Sequence, residues 1–118
     1  MRAKDGVGAY GERVAARALQ EAGFEILARN WRGSRGELDL VARDGGSLVA
    51  VEVKTRSSTR CGHPAEAVTR DKLARLRRLV AEWLAEHPVH ADEVRIDVVA
   101  VLRRGSGRAE VEHLRGVG

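Results

Sequence analysis

Two carboxylates and a lysine on neighbouring predicted strands have the types and spacing of a cation-binding site. Asp39 lies in a segment where apolar and polar residues alternate, which is typical of a half-buried strand. Glu52 and Lys54 come at the end of a nearly continuous apolar run, residues 48–53, which is typical of a central strand. Because side chains alternate along a strand, Glu52 and Lys54 share one face of the sheet.

A tight turn between the two strands determines which of these side chains face each other. In Asp44-Gly45-Gly46-Ser47 the glycines supply the positive φ angles of a hairpin. If they form the tip, Asp44 pairs with Ser47, which places Asp39 opposite Glu52 and Glu37 opposite Lys54. A four-residue loop keeps this pairing, whereas a loop of three or five residues would shift it.

The predicted pairing of Asp39 with Glu52 has an electrostatic cost. Side-chain origins of directly opposed residues lie about 5 Å apart. Two ionised carboxylates at that distance repel by roughly 3 kcal/mol at an effective dielectric constant of about 20. A bound divalent cation, a shared proton or Lys54 would relieve this repulsion. The alternative is an exposed strand face with an ordinary salt bridge, but the apolar run around Glu52 favours a buried strand.

Five short motifs extend this pattern along most of the chain, from about Gly8 to Leu102. They are Gly11-Glu12, Arg29-Asn30 with Arg32, Gly36-Glu37-Leu38-Asp39-Leu40, Val51-Glu52-Val53-Lys54-Thr55-Arg56 and Asp97-Val98-Val99. The acid followed by Glu-x-Lys on the next strand resembles the core of the PD-(D/E)xK nuclease superfamily. The ordered set resembles the small bacterial YraN-like family, which is itself similar to archaeal Holliday-junction resolvases.

The resemblance implies an endonuclease that depends on Mg²⁺ or Mn²⁺ and hydrolyses phosphodiester bonds of DNA. Branched or junction DNA, in repair or recombination, is the implied substrate class. Asp39 and Glu52 would bind the cation, together with the backbone carbonyl of Val53. The cation would lower the pKa of a bound water and polarise the phosphoryl oxygen. Lys54 would orient that water or offset charge that develops on the phosphorane.

The sequence gives weaker support for two further glutamates, Glu12 and Glu37, as residues of this site. Glu12 lies at the border of the apolar stripe of a helix predicted over residues 5–22, where a flanking glutamate is ordinary. The resemblance implies that its carboxylate reaches the metal region and holds a second ion or an outer-sphere water. Glu37 is expected to position Lys54 rather than to bind the metal.

Composition favours a small protein with a polyanionic partner. A length of 118 residues suits one domain spanning 1–118, and the net charge of +4 suits nucleic acid, although an excess of this size often serves only solubility. Cys61 is the single cysteine, which excludes an internal disulfide and favours a reducing compartment. Because the sequence has no long apolar run and no hydrophobic signal core, we predict no membrane partner and a cytoplasmic location.

Basic residues are predicted to surround the acids. Residues 29–36 read as a basic loop in which Trp31 either stacks on a base or, the favoured alternative, caps the core. A helix predicted from Thr69 has bases in its first half and acids late, the inverse of what the helix dipole favours. Phosphate binding explains this order, and a solvated face is the alternative. The residues expected to border one concave region and bind nucleic acid are Arg32, Arg35, Arg56, Arg60, Arg70 and Lys72.

Hydrophobic periodicity predicts an α/β fold with the element order α-β-β-β-α-β-β. The first three strands form an antiparallel meander, and a right-handed crossover through the second helix places the fourth strand parallel to the third. The expected mixed sheet with a helix on each side agrees with the restriction-endonuclease-like core that the resemblance implies.

Two other functions remain as alternatives at this point. One is a non-catalytic nucleic-acid-binding protein with a nuclease-like fold, and the other is a structural protein in which the acids only form salt bridges. Because resolvase-like relatives act as dimers on junctions with two related strands, a homodimer is a candidate assembly.

Overall fold

A computed structural model describes residues 6–56, 68–103, 105 and 107–118 of the chain. Two helices and five strands follow one another in the predicted order. They are α1 (Gly6–Glu21), β1 (Glu25–Gly33), β2 (Gly36–Asp44), β3 (Ser47–Arg56), α2 (Arg70–Glu86), β4 (Glu93–Leu102) and β5 (Glu110–Leu114). Among these described residues, no helix is long and apolar enough to cross a membrane.

The five strands form one mixed sheet in chain order, β1-β2-β3-β4-β5. Strands β1, β2 and β3 are an antiparallel meander, whereas β3 and β4 are parallel and α2 connects them. Strand β5 returns antiparallel along β4. The predicted α/β class and the parallel placement of the fourth strand are therefore confirmed.

One helix covers each face of the sheet, so the core has two layers. The layer against α1 consists of Ala15, Ala16, Leu19, Phe24, Leu40, Ala42, Val49, Val51, Val99 and Val101. The layer against α2 consists of Leu38, Val41, Leu48, Ala50, Leu76, Leu79, Val80, Trp83 and Ile96. Since β3 contributes alternate residues to both layers, it is buried on both faces, which explains its continuous apolar run.

Close approach between α1 and β3 depends on a glycine. A Cβ atom built at Gly11 would overlap the Thr55 hydroxyl and would lie 3.0 Å from Thr55 Cβ. Because Gly11 lacks that atom, α1 can pack directly over the end of β3. The next residue along the helix is Glu12, which is 8% exposed. Gly11 therefore positions a buried carboxylate over the sheet.

A buried aspartate in the middle of β4, beside Val51 of β3, anchors the C-terminal residues. Asp97 is fully buried and accepts hydrogen bonds from Arg95 Nε at 2.9 Å, Arg95 Nη2 at 3.1 Å and the Gly116 N–H at 2.9 Å. The Nε2 atom of His113 lies 2.7 Å from Asp97 Oδ2. Burial acts to raise the pKa of Asp97, but these hydrogen bonds outweigh burial and hold its pKa below the usual value.

The guanidinium of Arg95 joins Asp97 to the β2–β3 hairpin. Its Nη2 atom also donates to Asp44 Oδ2 at 2.9 Å, and its plane lies over the ring of Phe24 at 5.7 Å from the centroid. The hydrogen bonds with Asp97 raise the pKa of Arg95 against the opposing effect of burial. The charge of Arg95 is thus paired with two carboxylates within the protein.

We expect Asp97→Asn to lower the free energy of unfolding by about 3–5 kcal/mol at pH 7, because it leaves Arg95 without its buried counter-charge. The pKa of Asp97 in the folded state lies below its usual value. The ionised carboxylate therefore stabilises the fold fully above that value, and this contribution is lost as the pH falls through the folded-state pKa. Urea denaturation of both proteins should show a constant difference near neutral pH that shrinks below about pH 4.

Glu21→Gln, at the exposed end of α1, is the matched control and should change stability by no more than about 0.5 kcal/mol. Equal unfolding midpoints for the parent and Asp97→Asn at pH 7 would contradict the role of Asp97.

Gly11→Ala should destabilise the protein by about 1–3 kcal/mol, because the added methyl group forces α1 away from Thr55. Combining it with Thr55→Ala removes the overlapping hydroxyl, so the double variant should be more stable than the sum of the two single changes predicts. Thermal melts of the four proteins measure this coupling. Strictly additive costs would show that the close approach does not limit the position of α1.

Candidate metal centre

The open end of the sheet lies where β2 and β3 stop pairing. The pairs run from Asp44–Ser47 to Leu40–Val51, in the register that the two-glycine turn predicts. Both strands continue beyond Leu40–Val51, β2 along β1 and β3 along β4. At the first position of this fork, the backbone N–H of Val53 donates to Asp39 Oδ2 at 2.9 Å. The side chain of Asp39 is therefore held against the backbone of β3.

The backbone of β1 is irregular where it lies across from Asp39. Asn30 of β1 lies across from Asp39, between the pairs Arg29–Leu40 and Trp31–Leu38, and has a left-handed φ of 52°. Asparagine tolerates this conformation better than most residues. The alternation of β2 breaks at the same place, since Leu40 packs with α1 whereas Leu38 packs with α2. Asp39 thus lies at an irregularity that strict alternation does not predict.

Three carboxylates converge at this fork. Glu12, Glu37 and Asp39 each offer one oxygen atom, and these atoms lie within 4.8 Å of one another. Oxygens on opposite sides of an octahedral Mg²⁺ ion are about 4.2 Å apart, and those around the larger Ca²⁺ ion about 5 Å. A donor set of oxygens alone suits a hard cation of this kind. The three residues therefore fit a divalent cation, the kind of cofactor that the sequence predicts.

Glu37 lies close to two other acids, which the sequence did not predict. It groups with Glu12 and Asp39, and its Oε2 atom lies 4.0 Å from Arg32 Nη2. The expectation that it positions Lys54 came from extending the hairpin register past Leu40, where the observed pairing stops. Glu37 is thus a potential ligand that sequence reasoning set aside. Its place in the Gly-Glu-Leu-Asp motif was the available signal.

Glu52 lies close to Asp39 and faces two lysines. Its Oε1 atom is 3.9 Å from Lys54 Nζ, and its Oε2 atom is 3.4 Å from Lys72 Nζ. Burial raises the pKa of Glu52 and the charge of Asp39 raises it further, while Lys72 and Lys54 oppose the shift. Asp39 is therefore close enough to interact electrostatically with Glu52, and it also lies close to the Glu12 and Glu37 carboxylates.

The lysine predicted to be catalytic is half-buried beside Glu52. The side chain of Lys54 is 23% exposed. Burial lowers the pKa of Lys54, and the neighbouring Lys72 lowers it further, whereas Glu52 acts in the opposite direction. The predicted role of the Val53 carbonyl stays a prediction, since the contact that places Val53 in the site is its N–H bond to Asp39.

The predicted basic loop over residues 29–36 is instead a tight hairpin turn. Strand β1 extends to Gly33 and pairs with Gly36, so only Ser34 and Arg35 connect the strands. The N–H and hydroxyl of Ser34 donate to the Glu82 carboxylate at 2.9 and 2.7 Å, which fixes the turn on α2 and lowers the pKa of Glu82.

Trp31 packs against the core layer beneath α2, as the core-capping interpretation predicts. Stacking on a base is therefore not the role that the structure supports for this ring.

The predicted nucleic-acid-binding residues lie at different distances from the acids. Arg32 and Lys72 contact site carboxylates, as described above, and Arg35 lies in the turn on α2. Arg56 ends β3 and Arg70 begins α2. Arg60 lies outside the described residues. That all six border one concave region stays a prediction.

Arg75 was not predicted to belong to this group. A Cβ atom at Gly36 would lie 3.9 Å from Arg75 Cδ, so the stem of this arginine covers the start of β2 near the acids. The contact joins residues far apart in the chain, and the sequence carries no local signal for it.

Comparison with known proteins identifies the family. Residues 11–101 match the family described as Uncharacterised protein family UPF0102. A UPF0102 protein of Beutenbergia cavernae is 73% identical over 118 residues, covering 100% of both chains. One from Frankia casuarinae is 60% identical over 116 residues, covering 98% of both. One from Kineococcus radiotolerans is 60% identical over 118 residues, covering 99% of this chain and 97% of the relative.

The matched segment contains Glu12, Glu37, Asp39 and Glu52 and both lysines that face Glu52. The chain therefore belongs to the UPF0102 family, the YraN-like family that its motifs resemble.

Proposed function

We propose that this protein is a divalent-metal-dependent endonuclease that hydrolyses phosphodiester bonds of DNA, with branched or junction DNA as its preferred substrate class. The observation that carries the proposal is the convergence of Glu12, Glu37 and Asp39 within 4.8 Å, at the fork of the sheet. Three carboxylates held this close repel one another, and a fold that relied on them only for salt bridges would have no reason to group them.

The donor set favours Mg²⁺ or Mn²⁺ as the cofactor. Asp39 is the central residue, because it lies among the three clustered acids and also acts on Glu52. A bound ion would supply a water of lowered pKa and polarise the phosphoryl oxygen. Lys54 is close enough to this region to orient the water and to balance charge on the phosphate.

The arginines and lysines beside the acids support a nucleic-acid substrate. Arg32 is 61% exposed while it approaches Glu37, so its guanidinium is available to a ligand at the edge of the site. Arg35 lies in the adjoining turn, which Ser34 fixes on α2. Bases around an acidic centre attract a phosphate backbone and steer it to the metal.

The ion pairs of Glu52 with two lysines support a second candidate function. If those pairs are permanent, the protein binds nucleic acid without cleaving it. In either case we propose a single cytoplasmic domain that acts as a homodimer, so that two sites meet the two related strands of a junction.

Cleavage of four-way-junction, duplex and single-stranded DNA, each with Mg²⁺, Mn²⁺ or EDTA, tests the proposed function directly. We expect metal-dependent cleavage, fastest on the junction, and a loss of at least about 100-fold in Lys54→Ala because charge stabilisation in the transition state is removed. Lys54→Ala should still bind the junction in Ca²⁺. Binding without cleavage of any substrate by the parent would establish the second candidate instead.

Asp39→Asn and Glu52→Gln should each abolish metal binding and cleavage, because each removes a negative charge that the cation balances. Without metal, Asp39→Asn should keep the fold and gain stability, by at most about 3 kcal/mol, as carboxylate repulsion is relieved. DNA binding without metal should hold or improve for the same reason. Thermal melts with and without Mn²⁺ should show a metal-dependent rise in Tm for the parent that both variants lack.

Glu86→Gln, at the exposed end of α2, is the control and should keep the metal-dependent rise. A structural salt-bridge role predicts the reverse pattern. If both variants melt well below the parent without metal and the parent shows no shift with Mn²⁺, the acids hold lysines rather than a cation.

Arg32→Gln and Arg35→Gln should each weaken binding of junction DNA and reduce the slope of log K against log salt by about 1, because each phosphate contact releases condensed counterions. Fluorescence anisotropy in Ca²⁺, between about 50 and 200 mM salt, measures both quantities. Arg17→Gln, on the exposed part of α1, is the matched control and should leave the slope unchanged. Equal slopes in all four proteins would remove Arg32 and Arg35 from the DNA-binding surface.

A further inference from the structure

We propose that Lys72 is the exchangeable counter-ion of the metal centre: it neutralises Glu52 until a divalent cation binds and is then released to the substrate phosphate. The inference rests on the proposed function, since it concerns the same carboxylates. It gives Lys72 a role at the metal centre itself. A lysine on the outer surface would only bind phosphate.

The contacts of Glu52 carry the first step. Each of its carboxylate oxygens faces its own ammonium group, Oε1 that of Lys54 at 3.9 Å and Oε2 that of Lys72 at 3.4 Å. The side chain of Glu52 is only 12% exposed, so water screens these charges poorly. A cation coordinated by Glu52 would lie about 2 Å from an oxygen and would repel an ammonium group beside it. One of the two lysines must therefore give way.

The attachment of the two lysines indicates that Lys72 moves. Lys54 extends from β3, the central strand that is paired with β4 on both sides of this residue. Lys72 extends from the first turn of α2, where its backbone N–H donates to the N-cap hydroxyl of Thr69 at 3.2 Å. The cap fixes the backbone at the helix end, and four rotatable side-chain bonds leave the ammonium group free to turn. Its side chain is 20% exposed, so it has an opening to solvent.

The position of Lys72 in the helix supports an exchange between two anionic partners. A cation in the first turn is unfavourable because the N-terminus of a helix carries partial positive charge. Lys72 is therefore stabilised by an external anion, which is Glu52 in this structure and a phosphate when substrate is bound.

The alternative is a permanent ion pair that ties α2 to β3. The two roles predict opposite changes in metal affinity when the charge is removed. If the ion pair is permanent and positions Glu52, removal of the Lys72 charge should lower the affinity for metal. If Lys72 instead competes with the cation for Glu52, removal of its charge should raise the affinity for metal.

Lys72→Met tests the proposal, because methionine keeps most of the apolar stem and removes the charge. The measurement is the Kd of Mn²⁺ by electron paramagnetic resonance titration in the absence of DNA. We expect Lys72→Met to bind Mn²⁺ about tenfold more tightly than the parent. Its affinity for junction DNA in Ca²⁺ should fall. Arg78→Met, an exposed arginine on the same helix, is the matched control and should bind Mn²⁺ with the parent Kd.

The outcomes separate this inference from the proposed function. Mn²⁺ binding by the parent with an equal or larger Kd in Lys72→Met overturns the role of Lys72 and leaves the metal centre intact. No Mn²⁺ binding by parent or variants overturns the metal centre and the inference with it. Lys72→Gln provides the same comparison if methionine disturbs folding.

Discussion

Repulsion among carboxylates at the open end of the sheet is the constraint on which the rest of the structure depends. Glu12, Glu37 and Asp39 converge there, and Glu52 lies beside Asp39. To hold these charges together, the fold uses a close helix–strand contact at Gly11 and a hydrogen bond from β3 to Asp39. The first contact involves the backbone of α1 and the second the backbone of β3. The core layer on each face of the sheet supports both elements.

The surroundings of Asp97 and of Glu52 shift the pKa of a carboxylate in opposite directions. Around Asp97, hydrogen bonds satisfy a fully buried carboxylate, and the pKa of Asp97 is lowered as a result. Around Glu52, burial and a second carboxylate raise the pKa although two lysines are near. A carboxyl group whose pKa is raised by burial and by a neighbouring carboxylate is typical of a functional site. The ionised form of Asp97 therefore contributes stability to the fold, whereas Glu52 lies where a negative charge is disfavoured.

The fold and the hairpin register followed from local signals in the sequence. The glycines at the tip of the hairpin determine the pairing as far as Leu40–Val51, and apolar periodicity shows which strand is central. The place of Glu37 could not be predicted in this way, because alternation breaks beside Asp39, opposite the left-handed Asn30. The contact of Lys72 with Glu52 joins a helix to a strand distant in the chain, and no local pattern encodes it. Local rules thus found the acids but not the residues that complete their surroundings.

The close packing of α1 at Gly11 has a consequence for how the protein acquires its site. Glu12 is carried by α1, Glu37 and Asp39 by β2, and Glu52 by β3, so a folded hairpin alone lacks one of the clustered acids. A ligand that binds all of them stabilises the docked helix and the sheet as one cooperative unit. Partially folded forms, in which α1 has not reached Thr55, would leave the centre incomplete. Such intermediates would lack the Glu12 carboxylate at the fork and could not hold a ligand through all of the clustered acids.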